Sequence, residues 1–167
     1  MAILTVLSIP DERLRTKALP VETITDEHRQ ILDDMIETMY VEGGVGLAAT
    51  QVNVHYRMFV MDTSPARNEP IKLINPEITF TEGELEMEEG CLSVPGVYAK
   101  VIRPKKLTVK FLNEQGEPQE MTVEDYPAKC VHHEIDHLNG IVFIDHLSPL
   151  KRKMLESKLK KLNRAKG

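Results

Sequence analysis

The 167-residue chain has only two cysteines, Cys91 and Cys130, and no unbroken apolar stretch of membrane-spanning length. Two cysteines are too few for the multi-bridge framework of a small secreted domain, and no disulfide is expected. A transmembrane helix needs roughly 20 consecutive apolar residues, so no span is expected either. The opening segment, Met1-Ala2-Ile3-Leu4-Thr5-Val6-Leu7, has no basic region and is too short for a secretory leader. These absences together point to a reducing cytoplasm. Internal repeats and low-complexity linkers are also missing. The glycine-rich Gly43-Gly44-Val45-Gly46 lacks the Gly-Lys-Ser/Thr of a P-loop and the full G-x-G-x-x-G spacing, which argues against a phosphate cradle.

What is present is an ordinary globular composition, 41% apolar, in a chain long enough for a real core and too short to argue for two. Within it, His133-Glu134-Ile135-Asp136-His137 reads H-E-x-x-H. Helical residues four apart lie one above the other, so His133 and His137 can grip one metal ion with Glu134 beside them as proton acceptor. Pro127 suits a first helical turn and Gly140 a helix end, while Val131, Ile135 and Leu138 follow the spacing of a buried stripe. A catalytic metal needs a third protein ligand and an open position. Cys130 shares the histidine stripe but lies about 10 Å along the axis from His137, too far for a metal–sulfur bond of about 2.3 Å. Cys130 is therefore expected to pack beneath the site. Cys91, after Glu88, Glu89 and Gly90, is the best remaining donor, although a free buried cysteine is as good a reading of that residue alone.

The segment from Gly43 to Gln51 reads by itself as a tight turn. Beside the other motifs it reads as a strand-like edge opening into a short helix, Leu47 to Gln51, whose bare backbone could pair with an extended peptide. Elsewhere, Asp26 to Tyr40 has a helical stripe of Ile31, Leu32, Met35, Ile36 and Met39. Met58 to Met61 is a short buried strand, and Leu73 to Phe80 an extended run broken at Pro76. Leu107 to Leu112 and Glu120 to Val123 flank a hairpin signal, and Val142-Phe143-Ile144 is expected as a last strand. The pattern predicts an α+β fold: mixed or antiparallel sheets packed around a central helix that carries H-E-x-x-H, with a C-terminal helix. His28, His55 and His146 look isolated.

The set G-V-G-L-A-A-T-Q (Gly44–Gln51), E-G-C-L-S (Glu89–Ser93) and H-E-I-D-H (His133–His137), in this order, resembles the three signature motifs of peptide deformylases of the bacterial type with a C-terminal helix. The likeness extends from Ile9-Pro10-Asp11 to the tail. It implies a hydrolase that removes the formyl group from the initiator methionine of new polypeptides, releasing formate. It assigns Cys91, His133 and His137 to the metal, and Glu134 to proton transfer. Gln51 and the backbone N–H of Leu92 would face the oxyanion. The metal it implies is one ferrous ion per chain, replaceable by zinc, nickel or cobalt. Val45, Gly46, Gly90, Met87, Tyr126 and Lys129 are expected to line the substrate cleft. His132 stands where the family usually has Gln, Tyr98 where bacterial relatives often have Arg, and Tyr126 and Lys129 where apolar residues usually line the methionine pocket. An ordinary H-E-x-x-H metallopeptidase, a divergent deformylase acting on other N-acylated substrates, and a catalytically silent ribosome-binding homologue are the rival readings.

The tail is basic and amphipathic. From Leu150 to Gly167 eight lysines and arginines stand against Glu156 alone, in a chain whose net charge is −5. Residues 1–149 read as the catalytic unit and 150–167 as a basic helical extension of it, with a possible ribosomal contact through its charge. A monomer with no membrane partner is expected.

Overall fold

The computed structural model describes residues 2–166, with side chains through 162. Helix α1 (Asp26–Val41) is followed by strand β1 (Gly46–Ala48), a 3-10 turn at Ala49–Val52 and strand β2 (Met58–Met61). Then come β3 (Ile71–Glu82), β4 (Leu85–Cys91), β5 (Val94–Arg103), β6 (Lys106–Leu112) and β7 (Pro118–Glu124). Helix α2 (Tyr126–Leu138), a 3-10 turn at Phe143–His146 and helix α3 (Pro149–Lys166) complete the order. Strands β1-β2-β3-β6-β7 form one antiparallel sheet and β4-β5 a separate two-stranded one. The fold is α+β, as expected.

Strand β2 explains the layering. All four of its residues are buried, because successive side chains point to opposite faces and each face is covered. Phe59 and Met61 join Ala128, Val131, Ile135 and Leu138 of α2 in one core; Met58 and Val60 join Leu32, Met35 and Met39 of α1 in another. Helix α2 thus lies on one face of the large sheet and α1 on the other. A third core gathers Val94, Val97 and Val101 of β5 with Leu14, Phe143 and Leu159, which docks α3. Gly140, at φ 78°, ends α2 where a side chain would strike the Arg15 carbonyl.

Three expectations change. The run through Pro76 is one continuous strand, β3. A register shift between Ile74 and Glu77 absorbs the proline, and Asn75 (φ 51°) exchanges side-chain hydrogen bonds with the Val21 backbone. Val142 to Ile144 is not a strand. Its apolar side chains enter the third core from a 3-10 turn, where Val142 N–H donates to Asp145. The helical turn after the glycines begins at Ala49, because Gly46 to Ala48 pair with β2 as strand β1.

Candidate active site

Helix α2 carries His133 and His137 one turn apart, with their Nε2 atoms 3.2 Å from each other. The β4–β5 hairpin brings in Cys91, whose Sγ is 3.3 Å from His137 Nε2. The three donor atoms all lie within 4.8 Å of one another. Tetrahedral bonds of about 2.0–2.1 Å to nitrogen and about 2.3 Å to sulfur require separations near 3.3–3.6 Å, so the set fits a single metal ion. One thiolate and two imidazoles favour a transition metal over magnesium or calcium. Cys130 is buried below, its Sγ 3.9 Å from the Val45 carbonyl and outside the ligand set.

The charges around the triad favour a cation there. His133 Nδ1 lies 2.8 Å from Glu89 Oε1. Glu89 in turn receives a bidentate pair from Arg103, which is 2% exposed. The same guanidinium donates to Asp136 at 2.7 Å and to His132 Nδ1 at 2.8 Å, and His146 Nε2 lies 2.7 Å from Asp136. Burial opposes charge on His133, but hydrogen bonds to Cys91 and Glu89 outweigh it and raise its pKa to about 10. Burial and the facing His133 push His137 far down, since two adjacent Nε2 atoms cannot both be charged. A positive charge held beside Cys91 and Glu89 is what a bound metal ion would supply.

Glu134 is buried and its Oε1 has no hydrogen-bond partner. Burial pushes its carboxyl up to about 7. The close neighbour is Gly46: a Cβ there would stand 2.5 Å from Glu134 Oε2 and 3.1 Å from Cys130 Sγ. Gln51, 1% exposed, accepts from Ala48 N–H and donates to Ser93 Oγ at 3.0 Å and towards Cys91 Sγ at 3.5 Å. Leu92 occupies the turn just after Cys91.

These groups open into a cleft of about 600 Å³, within the range of small-ligand sites. Val45 and Gly46 form one rim; Gly90, Cys91 and Leu92 face them; Tyr126 and Lys129 lie along α2. Met87 is not among the lining residues. It pairs with Val101, whose side chain is in the third core, and cross-strand partners share a face. Strand β1 is an edge of the sheet, open to an added strand except at the Ala48 N–H, which Gln51 already takes.

Residues 3–153 match the family model for polypeptide deformylase. The chain belongs to that family. It is 54% identical to the peptide deformylase of Azotobacter vinelandii over the whole of both chains. It superposes on a crystal structure of a peptide deformylase from Legionella pneumophila with a TM-score of 0.95, at 50% identity, covering 99% of this chain and 98% of that one. The peptide deformylase of Ehrlichia chaffeensis in complex with actinonin gives a TM-score of 0.94 at 38% identity, covering 98% and 99%.

Several residues of this deformylase-family site escape the sequence reading. Glu89, Arg103 and Asp136 form a buried network that reaches the half-buried His132 and the exposed His146, although His146 looks isolated along the chain. His28 and His55 do have local roles: His28 accepts the Thr25 N–H ahead of α1, and His55 contacts Asn53. Behind the rim, Tyr40 donates to Asp62, Ser64 also donates to Asp62, and Arg67 donates to the Gly44 carbonyl. Arg67 also lies over the Tyr40 ring, 5.4 Å from its centroid. The only signal available was the run of polar residues in a loop between two strands.

Proposed function

We propose that this chain is a metal-dependent amide hydrolase that removes the N-formyl group from formyl-methionyl peptides. The observation that carries this is the convergence of Cys91, His133 and His137 beside a buried, unpartnered Glu134 carboxylate oxygen at the floor of a peptide-sized cleft. A bound ion would supply Lewis-acid polarisation of the formamide oxygen and a water more acidic than bulk. Ferrous iron is our reading of the resident metal, one per chain, with zinc, nickel or cobalt as substitutes.

Glu134 is the proton carrier. A carboxyl whose pKa is near 7 can take a proton from water and return it to the departing amine nitrogen. The Gln51 amide and the Leu92 N–H are the donors for the developing oxyanion, and losing one such donor typically costs about 10²–10³ in rate. Val45, Gly46 and Gly90 give the extended peptide close backbone approach from both sides. The test is formate release from formyl-Met-Ala-Ser by anaerobically purified protein. Wild type is expected to release formate and Glu134→Ala to lose about 10²–10⁴ in kcat while keeping its metal. Metal-loaded wild type that releases none would defeat the assignment.

We read residues 1–149 as the catalytic unit and 150–167 as an extension docked by Leu159. Leu150 and Met154 are exposed on α3 among Lys151, Lys153 and Lys158. The side chains of Arg164 and Lys166 lie outside the described residues. A basic helix of this kind suits contact with ribosomal RNA, which would hold a monomeric cytoplasmic enzyme near emerging chains. Truncation from Lys151 onward should abolish salt-sensitive co-sedimentation with ribosomes; unchanged co-sedimentation would refute it. No helix of the described residues is long and apolar enough to cross a membrane.

A further inference from the structure

Helix α2 presents three side chains to the cleft in a row. His133, Lys129 and Tyr126 fall four and seven residues apart, on one face, and all three line the cavity. Lys129 is half-buried. Its Nζ lies 4.3 Å from the Tyr126 ring centroid and donates to the Glu88 carbonyl at 3.3 Å. None of the ion pairs among the described residues includes it. An ammonium has three N–H donors, and the Glu88 carbonyl takes only one. Desolvation by its surroundings lowers the Lys129 pKa, as expected of a cation short of acceptors.

The position of this cation selects the part of a substrate it would meet. Four residues of helix place Lys129 about 6 Å along α2 from His133. The ammonium reaches on from there towards Tyr126, so a substrate with its formyl group at the ligand set would meet it with the far end of its first side chain. Glu42 and Glu88 line the same cleft, so a carboxylate arriving there meets like charge. The group that satisfies Lys129 without that repulsion is a neutral oxygen acceptor. Two side chains of the required length carry one: the sulfoxide of oxidised methionine and the amide of glutamine.

We propose that Lys129 is a specificity-determining residue, adapting the cleft to formyl peptides whose first side chain is unbranched and ends in a neutral oxygen acceptor. The inference rests on the deformylase reading and adds the substrate class. It is tested with metal-loaded full-length protein and four peptides, formyl-X-Ala-Ser, in which X is methionine, norleucine, methionine sulfoxide or glutamine. The readout is kcat/KM from formate release, expressed as the ratio of sulfoxide or glutamine to norleucine. In Lys129→Leu both ratios should fall about tenfold or more, while Lys129→Arg, which keeps the charged donors, should hold them within about threefold of wild type. Lys129→Met, with a similar stem, repeats the measurement if the leucine variant folds poorly. A wild type that cleaves the methionine peptide, with ratios unchanged in the leucine and methionine variants, overturns the role of Lys129 alone. No release from any of the four peptides overturns both that role and the deformylase reading.

Discussion

The two sides of the cleft are held by opposite means. The ligand side is fixed by buried charge: Arg103 joins Glu89, Asp136 and His132 within reach of His133 and His137, the proposed metal ligands on α2. In the facing rim Gly46 has no side chain, and that of Val45 packs against the first core. The rim is anchored from behind, by Arg67 on the Gly44 carbonyl and by the Tyr40–Asp62 pair. The difference follows from the work each side does. A metal ligand must not rotate, so charge-assisted bonds to its back are useful. A backbone edge that receives a peptide must stay bare, so its order has to come from outside the cleft.

The largest effect should come from breaking the charged side. Arg103→Leu leaves Glu89 buried without its guanidinium, with His133 as its remaining partner; breaking a buried ion pair typically costs about 3–5 kcal/mol. Urea denaturation should show that loss, and metal titration an affinity lower by about 10–100-fold as Glu89, which orients His133, loses the guanidinium that holds it. Acid sharpens the same point. Burial pushes Glu89 up, but hydrogen bonds from His133 and Arg103 outweigh it and hold it at about 2, below the ordinary 4.5. A depressed folded pKa stabilises above the ordinary value, and the benefit disappears as pH falls from about 4.5 to 2. Stability of the wild type should therefore fall across that window, and the leucine variant should lose part of that dependence, because His133 still bonds Glu89. Retention of the full slope would mean that other carboxylates carry it.

The rim should respond in catalysis before stability. Gly46→Ala directs a methyl at Glu134 Oε2, with Cys130 on its other side, so the carboxylate must move. A displacement on the scale of 1 Å costs about 10²-fold in rate. The expected signature is a fall in kcat with metal content unchanged, since Gly46 touches no ligand. A variant with normal kcat and lost metal would invert the division of labour between the two sides.

How much of this could be read along the chain depends on whether the cause was local. Helix α2 was legible because its ligands, its apolar stripe, Pro127 and Gly140 lie within one short segment. The β4–β5 hairpin was not. Leu85-Glu86-Met87-Glu88-Glu89-Gly90-Cys91 is acidic and weak in strand formers, and it becomes a strand by pairing with β5. Val142 to Ile144 misled in the other direction, because a short buried apolar run looks alike in a strand and in a 3-10 turn. The Arg103 network draws on residues 14, 29 and 33 positions away, a separation that no period in the sequence records.

The smallest expected effect probes the anchor behind the rim. Arg67 does not line the cleft, so its removal should leave proton transfer alone and loosen only the edge on which the peptide lies. Arg67→Ala is expected to raise KM several-fold for formyl-Met-Ala-Ser with kcat nearly unchanged, the pattern of lost uniform binding. Formyl-Met amide, which is too short to run along β1, should show little change. Arg67→Lys should recover part of the affinity, because an ammonium can reach one carbonyl but cannot also lie flat on the Tyr40 ring as guanidinium does. Equal losses on the long and short substrates would mean that Arg67 supports the site as a whole, and the contrast between a charged side and a bare edge steadied from behind would not hold.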